Sequence, residues 1–84
     1  MKTTINSLIK LATISNNENR IELYKAMAQK LKNATKQEQN HLLEHFYSNL
    51  CGLMAHSEME SNEYNKLNIL LKHLQNICQA SQQP

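Results

Sequence analysis

The sequence contains no Val, no Asp and no Trp, and only one Gly and one Pro in 84 residues. Strands favour Val, Thr and aromatic side chains, and the turns joining them rely on Gly, Pro, Asn and Asp. With one Gly, three Tyr and one Phe, the chain lacks the residues for a β-sandwich, a barrel, a Gly-rich phosphate loop or an α/β fold. The absence of Asp removes any Ser-His-Asp triad. Arg occurs once among nine basic residues, which argues against phosphate reading, where the bidentate guanidinium is the usual partner. No apolar run approaches the roughly 18 residues of a membrane span. Asn6 and Lys10 interrupt the N-terminal apolar stretch and no small-residue cleavage site follows, so this stretch reads as a first helix rather than a signal peptide.

What is present is Leu- and Ile-rich and helical in period. The fold class predicted is all-α: a small antiparallel helical bundle with one short N-terminal helix and three longer ones. A single domain spans 1–80 and a frayed tail 81–84. Asn and Gln are abundant, but the regular apolar spacing argues against disorder. In the first helix, from about Thr4 to Ile14, Ile5, Leu8, Ile9 and Ala12 recur at helical spacing. Thr3 or Thr4 is its expected cap, and Leu11 lies off the main stripe. The second helix, ending near Asn33, gathers Ile21, Leu23, Tyr24, Met27, Ala28 and Leu31 in one arc. The third carries Leu42, Leu43, Phe46, Tyr47, Leu50, Leu53 and Met54. The fourth carries Tyr64, Leu67, Leu70, Leu71, Leu74, Ile77 and Cys78.

Three junctions have the form of a capping box, in which a Ser or Thr is followed three residues later by Glu: Ser15–Glu18, Thr35–Glu38 and Ser57–Glu60. Gly52 either ends the third helix as a left-handed cap or lies within it. The in-phase Leu53 and Met54 favour a helix that continues to about His56. A chain of this size buries only about 60–65% of its unfolded surface, so self-association would help it.

One stretch has a catalytic form. His41-Leu42-Leu43-Glu44-His45 matches H-x-x-E-H, the inverted zinc-protease pattern. Two His one turn apart suit a Zn²⁺ ion, and Glu44 would be the base. Those enzymes are much longer and take a third ligand from a distant helix, and here all three residues fall on the polar side of the wheel. His56 and His73 stand alone, and Cys51 and Cys78 lack metal-type spacing and read as free thiols. The expectation is therefore a non-enzyme with no catalytic residues, no cofactor and no assigned metal site.

The surface carries more information. Arg20, Lys25, Lys30, Lys32 and Lys36 are opposed within their segment by Glu22 alone, whereas Glu58, Glu60 and Glu63 form an acidic stretch. Ser48, Gly52 and Ala55 line up opposite the apolar face of the third helix, where small side chains allow a second helix to come close. Ile69 points away from the fourth stripe. These features point to a cytoplasmic protein–protein interaction module, an adaptor, inhibitor, chaperone-like protein or regulator, working as a homodimer. Ser48, Gly52 and Ala55 would form the close contact, and Lys25, Lys30 and Lys32 would steer an acidic partner. The alternative is a nucleic-acid-associated regulator using the basic face of the second helix, which the small net charge of +2 does not favour.

Overall fold

The computed structural model describes the backbone of residues 2–82 and the side chains of residues 2–77. Among them are four α-helices and no strand: α1 (Lys2–Ile14), α2 (Glu18–Asn33), α3 (Lys36–His56) and α4 (Ser61–Gln82). They are 13, 16, 21 and 22 residues long, so α1 is the shortest. The all-α reading holds. Cys78 and the whole expected C-terminal tail, 81–84, lie outside the described side chains.

The connections are short, and the helix ends that meet at the first two junctions, together with the end of α3, are closed by local hydrogen bonds. Thr35 caps α3 as expected: its backbone is extended and its Oγ1 accepts from the Glu38 N–H at 3.3 Å. The other two boxes do not form. Asn17, not Ser15, caps α2, accepting from the Arg20 N–H at 3.0 Å. The Ser15 hydroxyl instead accepts from the Asn17 N–H at 3.3 Å. Ser15 has already been taken by the end of α1, where its N–H donates to the Leu11 carbonyl at 3.0 Å. Ser57 in turn closes α3, donating its N–H to the Leu53 carbonyl at 2.9 Å. The first turn of α4 begins later, with the Tyr64 N–H on the Glu60 carbonyl. In each case the Ser-x-x-Glu spacing occurs, but a helix ending at the Ser consumes the backbone that a cap requires. Thr3 and Thr4 lie inside α1 rather than at its cap.

α3 continues through Gly52 to His56, and no described residue has a positive φ. Gly52 is therefore a glycine inside a helix, not a left-handed terminator.

α1 packs chiefly against α2 and α3 against α4; α1 also meets α4, while α2 and α3 barely touch. The core lies between these helices: Leu8 and Leu11 from α1, Tyr24, Met27 and Leu31 from α2, Leu43, Phe46 and Leu50 from α3, and Leu67, Leu70 and Leu74 from α4. Each such Leu contributes about 1.5–3 kcal/mol by leaving water. Leu11 is a correction, since it is buried. α1 is covered by two helices at once, so its inward arc is wider than one stripe. Ile9, expected inside, is half exposed, and so is Tyr64. Ile69 is exposed, as its phase predicted.

Candidate functional site

The residues expected to bind a partner lie on the outside of α3 and α2. Ser48, Gly52 and Ala55 are all exposed. A Cβ built on Gly52 would have no neighbour within 4 Å, so the helix surface there is open. Just before this stripe, His41, Leu42, Glu44, His45 and Ser48 line a shallow hollow. A second one follows the sparse α2–α3 contact, lined by Ala26, Gln29, Lys30, Asn33, Ala34, Glu38 and Leu42.

Lys25, Lys30 and Lys32 are exposed, but they do not share one face. At 100° per residue Lys25 and Lys32 are about 20° apart, whereas Lys30 lies about 140–160° from both. Lys30 borders the α2–α3 hollow, in the company of Glu38. The basic residues of α2 are therefore split between two edges.

Arg20 departs furthest from its expected place. It is buried, at 6% exposure, against Glu63 of α4, at 1%. Its Nε donates to Glu63 Oε2 at 2.7 Å and its Nη2 to Oε1 at 3.1 Å. The Tyr24 hydroxyl, one turn along α2, donates to the same Oε2 at 2.7 Å. Arg20 Nη2 also donates to Asn16 Oδ1 at 3.1 Å, and Asn16 Nδ2 reaches Glu60 Oε1 at 3.3 Å. The α1–α2 loop, the start of α2 and the start of α4 are thus joined by one polar network. Burial alone would raise the Glu63 carboxyl, but hydrogen bonds from Arg20, Tyr24 and Ser15 and the charge of Arg20 outweigh it and hold the group below the ordinary carboxylate range. Arg20 is held above its usual value, first by its bond to Glu63 and against the opposing effect of burial. Burial raises the Tyr24 phenol, and the bond to Glu63 and its charge add to the rise.

This network removes Arg20 from the basic surface and Glu63 from the acidic one. Sequence reasoning missed it, although a signal was present. Arg20, Tyr24, Met27 and Leu31 are spaced 4, 3 and 4 apart, and so are Glu63, Leu67, Leu70 and Leu74. A charged residue in phase with each buried stripe indicates a buried pair. A buried, fully bonded pair of this kind contributes to orientation more than to net stability.

Among the described residues no three His, Cys or Glu side chains converge on a point that would hold a metal ion. His41 and His45 are exposed and border an open hollow, and among the described residues no third His, Cys or Glu joins them as a metal ligand. Cys51 is a free, half-buried thiol. Among the described residues no helix is long and apolar enough to cross a membrane. Comparison with family models, curated proteins and solved structures finds no match to this chain.

Proposed function

We propose that the chain is a non-enzymatic module that binds another protein through exposed helix faces, in the manner of a small adaptor, inhibitor, chaperone-like protein or regulator. The observation that carries this reading is the outer side of α3. Ser48, Gly52 and Ala55 are exposed on an unbroken helix, with open space above Gly52. A partner helix can approach such a surface closely, as in helix-in-groove recognition. Lys25 and Lys32 on one edge of α2, and Lys30 on the other, would favour acidic neighbours in the encounter. Because they do not form one stripe, a nucleic-acid role gains no support from their arrangement.

The antiparallel bundle belongs to the same proposal. Helices of 21 and 22 residues are about 32 Å long and fit a body of 39 × 23 × 18 Å only along its long axis. A homodimer in the cytoplasm completes the reading, with the free Cys51 thiol suited to that compartment.

The test is to place a large side chain on the open surface. Gly52→Leu should reduce both self-association, measured by sedimentation equilibrium, and recovery of any partner captured by the wild-type chain. Its urea midpoint should not fall, because a side chain at position 52 favours the helix and meets nothing within 4 Å. Full retention of both interactions, or a wild-type chain that stays monomeric and captures nothing specific, rejects the reading.

A further inference from the structure

We infer that His41 and His45 form a two-imidazole site for a divalent late first-row transition-metal ion on the outer face of α3. The inference is independent of the interaction reading and stands or falls on metal titration alone.

Three observations carry it. The two residues sit four apart within the unbroken helix Lys36–His56. That spacing stacks side chains one above the other, about 6 Å apart along the axis, with both tilted towards the helix N-terminus. Both are exposed and border the same hollow, so an ion can reach both without displacing any protein group. Neither imidazole takes part in a hydrogen bond among those found in the described residues. The His45 ring lies 6.5 Å from the Phe46 ring, tilted by 49°, a contact through the ring that engages neither nitrogen in a bond.

The donor set determines which ion binds. Imidazole nitrogen suits Cu²⁺, Ni²⁺ and Zn²⁺, and does not suit Mg²⁺ or Ca²⁺, which take oxygen ligands. Two donors fill half of a tetrahedral sphere, and since among the described residues no third His, Cys or Glu joins them, water would supply the rest. Because both donors are fixed on one helix, the second binds at high effective concentration once the first has bound.

Isothermal titration of the full chain with Ni²⁺, at neutral pH in a non-coordinating buffer, tests the site. One equivalent should bind. His41→Ala and His45→Ala should each weaken binding by about tenfold or more, as loss of the chelate requires. His56→Ala, at the exposed end of α3, should leave binding unchanged. Mg²⁺ should give no binding. Helix content should be the same in all variants, because the replaced side chains are exposed. Ni²⁺ binding that is absent at millimolar concentration, or equal in the wild type and both single variants, overturns the inference.

Discussion

Arg20 of α2 and Glu63 of α4, 43 residues apart in the chain, meet inside the protein through two hydrogen bonds of 2.7 and 3.1 Å. Tyr24 adds a third to the same carboxylate. The group ties the α1–α2 pair to the α3–α4 pair where the direct contact of α2 with α3 is slight. Removing one member leaves its partner buried without compensation. Glu63→Gln should therefore cost about 3 kcal/mol or more. Tyr24→Phe, which removes one bond to a charged acceptor, should cost about 1.5–3 kcal/mol. Urea unfolding of the two variants and the wild type measures both costs.

The same group sets the pH response at both ends. The Glu63 pKa is lowered on folding, so its contribution is complete above the unfolded carboxylate value of about 4.3. It is lost as pH falls from there through the folded value, because the unfolded chain takes up the proton first. The Tyr24 pKa is raised on folding. Its contribution is present below the unfolded value of about 10 and is lost as pH rises beyond it. Thermal midpoints should be level across neutral pH and fall on both sides, and Glu63→Gln should flatten the acid limb.

Gly52 is a test of helix continuity. In a helix interior Ala is favoured over Gly by about 0.8–1.0 kcal/mol, and a Cβ at position 52 meets nothing within 4 Å. Gly52→Ala should therefore raise stability by about that amount in urea unfolding. Loss of stability would mean a residue that needs glycine's freedom.

The caps separate the true box from the apparent ones. Thr35→Ala and Asn17→Ala each remove an acceptor from a helix N-terminus and should cost about 1 kcal/mol. Ser57→Ala should change stability by no more than about 0.5 kcal/mol, since Ser57 closes α3 through its backbone N–H. Thermal unfolding of the three variants distinguishes these roles.

Thr4 is buried at 1% exposure, and its hydroxyl has no hydrogen-bond partner among the described residues. An unsatisfied buried hydroxyl costs about 1–3 kcal/mol, and Val has nearly the same shape. Thr4→Val should be neutral or stabilising in urea unfolding.

Much of the architecture was legible in the residues themselves. The scarcity of Val, Gly and Asp excluded sheets, and helical spacing of Leu and Ile marked all four helices. The phase of Leu53 and Met54 carried α3 past Gly52, and Thr35 with Glu38 marked its start. Ser48, Gly52 and Ala55 were placed on the outer side of α3 by phase alone, and they are exposed there. These features depend on neighbours within one turn, so local sequence suffices to determine them.

Tertiary structure decided the rest. Ser15 and Ser57 each follow a helix and precede another, and only the folded backbone shows that both serve the helix before them. Leu11 is buried because two helices cover α1. Tyr64 is half exposed because Glu63 occupies the inward position beside it. Above all, Arg20 and Glu63 each fall in phase with a buried stripe, but neither helix taken separately shows which group it will meet. Burying either alone is prohibitive, and what permits burial is an opposite charge and a phenol delivered by distant segments. No local pattern specifies that meeting; it exists only once the helices are packed.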